Sequence, residues 1–206
     1  MLFTFLLSMR ATPFIYNGDE IGMTNIRFDK IDDYRDVETK NMYERLRSSG
    51  GDTEEFLQDQ RETARDNSRT PIQWNDRPGA GFSGGTPWIR LNDNYRMINA
   101  ADCEKDPDSI LQYFRKMISL RKKTPVLVYG DYNLLESPGG LYVYIRSEKE
   151  VKLLVILNFS KTNVDYTQDF LFDRDKDVLI NNYPEIKLTE NIINLFPYQA
   201  LIINIK

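Results

Sequence analysis

The chain has 206 residues, 31 acidic against 27 basic side chains, and a formal net charge of -4. That balance argues against nucleic acid as a partner, which needs a clustered basic field, and no apolar run approaches the roughly 20 residues of a membrane-crossing helix. Histidine is absent and cysteine occurs once, at Cys103, which removes Ser-His-Asp and Cys-His catalysis, imidazole-bound metals, disulfides within the chain and paired-cysteine metal sites, and fits a reducing, cytoplasmic compartment.

Residues 1–9 are apolar but lack a basic leader, and Arg10-Ala11-Thr12-Pro13 is a poor cleavage site, so a buried helix end is expected rather than a signal peptide. Phe14-Ile15-Tyr16 reads as a short apolar strand closed by an Asn17-Gly18 turn. Residues 26–105 are polar and loop-rich with two helices. The first is capped by Asp32 or Asp33, runs through Val37, Met42, Tyr43 and Leu46, and stops at Ser48-Ser49-Gly50-Gly51. The second starts at Asp52 or Thr53, with Glu55 placed for a capping box. A helix over about 106–123 is expected from Asp106 as cap, Pro107 in the first turn and an apolar face of Ile110, Leu111, Phe114, Met117, Ile118 and Leu120. From 126 onward the pattern is all strand: 141–146, 152–159, Leu171, 178–180, 186–188 and 200–205, separated by polar turns, as in an antiparallel sandwich. The domain boundary falls near Pro125, giving domains 1–125 and 126–206.

Without histidine, chemistry must come from carboxylates, arginines, tyrosines and amides. Asp19 and Glu20 follow the expected strand, but neighbours on an extended segment point to opposite sides and cannot form a facing carboxylate pair. Fixing their own loop is the simpler role. Arg65, Asp66 and Arg69 share a loop; a guanidinium fork can grip vicinal hydroxyls or hold a carboxylate, so a sugar pocket and a structural ion network are both open. Trp74, Phe82 and Trp88 could stack on sugars, though packing is the simpler reading. Tyr142 and Tyr144 lie opposite Leu141, Val143 and Ile145, which makes them an aromatic platform or, more simply, a half-exposed strand face. Cys103 has no histidine to activate it and reads as a small half-buried or loop side chain. The glycines at 79, 81, 84 and 85 lack the strand-to-helix setting of a phosphate loop.

Residues 11–25, Ala-Thr-Pro-Phe-Ile-Tyr-Asn-Gly-Asp-Glu-Ile-Gly-Met-Thr-Asn, closely resemble the last barrel strand and following loop of α-amylase-superfamily glycosidases (glycoside hydrolase family 13). Tyr34-Arg35-Asp36-Val37-Glu38, Arg65 through Trp74, Ala80-Gly81-Phe82-Ser83, Gly85-Thr86-Pro87-Trp88 and Ser119-Leu120-Arg121-Lys122 are similar, in the same order, to the oligo-1,6-glucosidase and α-glucosidase branch. Asn17 and Asp19 stand where that branch more often has Gln and Glu, and Ile72 where it often has Met. The last 50 residues or so match in pattern only.

The resemblance implies an α+β fragment: the last part of a (β/α)8 barrel, strand eight with its helices, followed by an antiparallel β-sandwich. It implies that the three catalytic carboxylates and the metal-binding loop belong to earlier strands, one of them in a histidine-containing motif that this chain cannot hold. On that basis the chain carries no catalytic residue, metal or cofactor of its own and is expected to be inactive alone. The intact enzyme would be a retaining, exo-acting α-glucosidase that removes terminal α-linked glucose from short oligosaccharides. Arg69 would contribute to the glucose pocket by pairing with an aspartate, Arg65 and Asp66 would brace the loop, and Glu20 with Asp19 would shape the site's edge. Trehalose-6-phosphate hydrolase, a sucrose-isomerising relative, and a carbohydrate-binding or interaction module are the alternatives. Expected partners are an oligosaccharide and, through the apolar barrel remnant, further copies of the chain, with neither nucleic acid nor membrane.

Overall fold

The computed structural model describes residues 1–205. In chain order the helices are α1 Leu2–Ser8, α2 Val37–Ser48, α3 Thr53–Thr63, α4 Ala100–Lys105, α5 Ile110–Lys123 and α6 Val126–Tyr129. The strands are β1 Asp131–Leu135, β2 Leu141–Glu148, β3 Val151–Asn158, β4 Val164–Thr167, β5 Val178–Asn181, β6 Lys187–Thr189, β7 Ile192–Leu195 and β8 Ala200–Ile205. They fall into two compact units, residues 1–14 with 113–206, and residues 15–112.

The first unit is built on two antiparallel sheets, ordered β1-β2-β3-β8-β5 and β4-β7-β6. In-register pairs such as Val143↔Ile156 and Ile156↔Leu201 line up one apolar row across β2, β3 and β8. Leu141, Val143, Leu154, Ile156, Leu201, Ile203 and Ile205 pack in that row against Tyr166, Ile193 and Leu195 of the smaller sheet. This is the expected sandwich core. The opposite face of the larger sheet is buried as well. Tyr144, Leu153, Val155, Leu157, Ala200 and Ile202 pack there against Leu7 of α1, Met117 of α5 and Val126 and Leu127 of α6. Two buried faces explain why β3 reads Val-Lys-Leu-Leu-Val-Ile-Leu-Asn without alternation. Each fully buried Leu, Ile or Met contributes about 1.5–3 kcal/mol, so the helices are part of this core.

Neither reading of Tyr144 survives, whereas Tyr142 is half-buried. Tyr144 is fully buried and its hydroxyl lies 2.5 Å from Ser8 Oγ; burial pushes its phenol up to about 12. Tyr142 packs edge-on against Phe5 and hydrogen-bonds the Tyr132 hydroxyl at 2.6 Å. Helix α1, far away in sequence, covers both rings.

The end of α1 is held by two arginines. Arg146 is fully buried, and its guanidinium donates to the carbonyls of Ser8, Leu127 (2.9 Å), Gly130 (2.8 Å) and Asp131 (3.2 Å). Arg121 donates to the carbonyls of Leu7 (2.6 Å), Met9 (3.2 Å), Ala11 (2.9 Å) and Leu127 (2.8 Å). α1 and α5 thus share a core with the sheet.

Other elements differ from their expected form for identifiable reasons. Phe14-Ile15-Tyr16 forms no strand, since no described segment offers it a ladder. α5 starts at Ile110, and Asp106 instead accepts from the Asp108 amide at 2.9 Å in the preceding turn. The separate α4, capped by Asn99, precedes that turn. α6 is a helix where only strand is expected, Leu171 lies outside any strand and is exposed, β1 and β4 are short edge strands, and β7 is a four-residue central strand too short for its alternation to stand out.

The second unit has a small apolar core of Ile26, Phe28, Tyr34, Ala64 and Ile89. Polar contacts carry much of its organisation: α2 and α3 meet where Thr39 Oγ1 lies 3.2 Å from Gln60 Oε1, its proton shared with Asp36. α2 is capped by Asp36 rather than by Asp32 or Asp33, which sit in a preceding turn, because Tyr34 to Asp36 are extended. Asp52 caps α3 as expected, accepting from the amides of Glu54 and Glu55.

Candidate functional site

Arg65 through Arg69 form a tight turn just after α3, which puts Arg65, Asp66 and Arg69 on one side of the chain within a few residues. Asp66 is fully buried, and one of its oxygens accepts from the backbone amides of Arg35 (2.6 Å) and Asp36 (2.9 Å). Its other oxygen accepts from Arg69 Nη1 at 3.0 Å. The same Nη1 donates to Asp36 Oδ1 at 3.2 Å. Asp36 Oδ2 accepts from the Thr39 amide and hydroxyl, each at 3.0 Å, and from Arg65 Nη2 at 3.3 Å. Arg65 also pairs with Glu38.

Two carboxylates therefore fix Arg69 through a single nitrogen. Its Nε and Nη2 make no hydrogen bond among the described residues, and the side chain is 38 % exposed. The hydrogen bonds it donates to Asp66 and then Asp36 raise the Arg69 pKa further, so it is a permanent cation. Burial alone would raise the pKa of Asp36, but the Thr39 donors, Arg69 and the charge of Arg65 outweigh it and hold the carboxyl below its ordinary value.

The cluster borders a cavity of about 730 Å³. Arg35, Arg45, Arg65 and Arg69 line it together with Asp36 and Glu38, an array suited to hydroxyl-rich or anionic ligands. A second cavity of about 410 Å³ lies between residues 16–25 and 62–70, with Tyr16, Asp19, Asn25, Arg65 and Asn67 in its wall. The Tyr16 hydroxyl donates to the Ser68 carbonyl at 2.7 Å, joining the two segments.

The structure thus brings Arg65, Asp66 and Arg69 into one cluster. Glu20 is not in it: its carboxylate accepts from the Gly18 amide at 2.8 Å, inside its own turn, and it lines neither cavity. Asp19 similarly accepts from the Tyr16 amide at 3.1 Å. Asp36 is the residue missed as a site candidate. Its signal was an aspartate three positions before Thr39 at the head of a helix, the N-cap pattern. Trp74, Phe82 and Trp88 are each about half exposed, which fits surface loops rather than a core. Cys103 sits on α4, half-buried, with its thiol 3.8 Å from the Ile21 carbonyl; burial and the nearby Asp106 and Asp102 push its pKa up, so it stays an unreactive thiol. Among the described residues no group of three or more acidic or sulfur ligands could hold a metal ion.

Comparison with known proteins gives two family matches: the catalytic domain of alpha amylase over residues 1–130, and the alpha-amylase SusG C-terminal domain over residues 141–202. The oligo-1,6-glucosidase of Parageobacillus thermoglucosidasius is 46% identical, with 100% of this chain and 37% of that protein covered. The trehalose-6-phosphate hydrolase of Escherichia coli K12 is 41% identical, with 98% of this chain and 36% of that protein covered. The crystal structure of isomaltulose synthase from Erwinia rhapontici NX5 superposes with a TM-score of 0.91 at 41% identity, covering 100% of this chain and 37% of that one. The chain spans a little over a third of the length of these relatives.

Proposed function

The chain belongs to the α-amylase family, and we propose that it is the C-terminal part of a retaining, exo-acting α-glucosidase of the oligo-1,6-glucosidase kind. The observation that supports this most is the double-carboxylate clamp on Arg69. It leaves Nε and Nη2 free beside a polar cavity, where they can donate to adjacent hydroxyls of a terminal glucose. Asp66 orients that guanidinium, Asp36 completes the clamp, and Arg65 with Glu38 braces the cavity wall. The chain contributes binding and orientation. Bond cleavage by retention needs two carboxyls roughly 5 Å apart, one as nucleophile and one as acid then base; the family resemblance assigns them to segments upstream of these motifs. Trehalose-6-phosphate hydrolase is a second reading, favoured by the arginines around the larger cavity, which suit a phosphorylated sugar.

The test is glucose release from isomaltose, maltose and trehalose 6-phosphate, by the chain alone and by a fusion carrying the upstream part of the P. thermoglucosidasius relative. The chain alone should release none. The fusion should hydrolyse isomaltose, and Arg69→Lys should lower its kcat/KM by about 100-fold, the size of a lost bidentate orienting contact. Turnover by the chain alone that disappears in Glu20→Gln would overturn the reading.

The same reading makes the protein cytoplasmic and makes Leu2 and Phe14, which are 66% and 86% exposed, two separate apolar contact points for self-association. Sedimentation of the chain should then show concentration-dependent oligomers that diminish in Phe14→Ser; a monomer at all concentrations would rule this out.

A further inference from the structure

The turn Phe196-Pro197-Tyr198-Gln199, which leads into β8, is closed by the Gln199 amide donating to the Phe196 carbonyl at 3.0 Å. Tyr198 occupies its third position with φ of 58°, the left-handed region. Proline at the second position cannot take a positive φ, so the turn is of type II, whose third position selects glycine. A tyrosine there strains the backbone, and such strain persists only where the surroundings enforce it.

The surroundings do enforce it. The Pro197 carbonyl accepts from the Tyr183 hydroxyl at 2.8 Å, and the Tyr198 carbonyl accepts from Asn182 Nδ2 at 2.9 Å. The Tyr183 ring is itself stacked on Phe196, 5.0 Å between centroids and 16° between planes. Successive carbonyls of the turn are thus fixed by side chains, while the Tyr198 ring remains 44% exposed. Among the described residues the other non-glycine positions with positive φ are Arg27, Ala80, Lys149 and Glu190, so this is the one aromatic ring held out on such a backbone.

We propose that Tyr198 is the stacking residue of an oligosaccharide-binding site on the β-sandwich. An exposed phenol ring on a pinned backbone offers an apolar face to the C–H face of a pyranose and a hydroxyl to its rim. Because the backbone beneath the ring is already pinned, only the side chain's own rotamer freedom is lost when a sugar settles on it. The choice of an α-glucan as ligand rests on the glucosidase reading of the chain.

Maltoheptaose and isomaltotriose are titrated into the 206-residue chain and followed by saturation-transfer NMR. Saturable binding is expected for one or both. Tyr198→Ala should weaken it at least about ten-fold, the order expected for loss of an aromatic stacking contact. Tyr198→Gly should lose binding equally yet melt at the same or a higher temperature, because glycine takes the left-handed φ without strain. Undiminished binding in both variants, absence of saturable binding by the unaltered chain, or a lowered melting temperature in Tyr198→Gly would each overturn the proposal. A fusion enzyme that fails to hydrolyse any α-glucoside while the chain still binds through Tyr198 would count against the glucosidase reading alone.

Discussion

Arg146→Met should destabilise the unit formed by residues 1–14 and 113–206 by about 4 kcal/mol, read as a lowered urea midpoint of the chain by near-ultraviolet circular dichroism. The guanidinium is fully buried and donates to backbone carbonyls, those of Ser8, Leu127, Gly130 and Asp131. Burial, with Arg121 and Arg10 nearby, lowers its pKa, yet an arginine keeps its charge. Carbonyl dipoles from the end of α1, from α6 and from the start of β1 take the place of water around it. Methionine fills similar volume without charge, so the measured loss reports the orphaned carbonyls, each costing about 1–3 kcal/mol before water or relaxation recovers part of it. Arg146→Lys should fall between, since one ammonium cannot span acceptors that a planar fork reaches together. A loss below 1 kcal/mol for the methionine variant would mean that Arg146 is not needed to hold the end of α1.

Asp66→Asn should destabilise the unit of residues 15–112 by about 3 kcal/mol, with the volume of the side chain conserved. The carboxylate accepts from the amides of Arg35 and Asp36 and from Arg69, all within 2.6–3.0 Å. An amide must turn its NH2 toward donors on one side or the other, so at least one of those bonds becomes a donor facing a donor. In the proposed enzyme the same change should raise KM, because Arg69 loses half of its clamp. The network also sets an acid limit. Asp36 has a lower pKa in the folded chain than its ordinary 3.8, so its contribution is complete above that value and is lost as pH falls through the depressed one. Unfolding followed between about pH 5 and about pH 2 should steepen there, and Asp36→Asn should flatten the dependence. An unchanged slope would remove Asp36 from the charged network.

Local chemistry made much of the chain legible. Asp52 before Thr53 and the apolar runs of β2, β3 and β8 speak for themselves over a few residues, whereas the cap of α2 was read at Asp32 or Asp33 instead of Asp36. The Arg65-Asp66-Arg69 cluster was legible for the same reason, since a single turn carries all of it. β1, β4 and β7 were not, because short strands are defined by the ladder they join rather than by their own alternation.

The sequence by itself determined the family motifs, the strand-rich C-terminal half, the absence of imidazole chemistry and the arginine–carboxylate content of the site. Tertiary structure alone decided which carboxylates clamp Arg69, that Tyr142 and Tyr144 are covered by α1, and that Arg146 lies buried among carbonyls. It also decided that Phe14-Ile15-Tyr16 is no strand. Capping and periodicity are written over three or four residues, whereas burial of a second sheet face and satisfaction of a buried charge depend on groups more than a hundred positions away, as Ser8 and Tyr144 are.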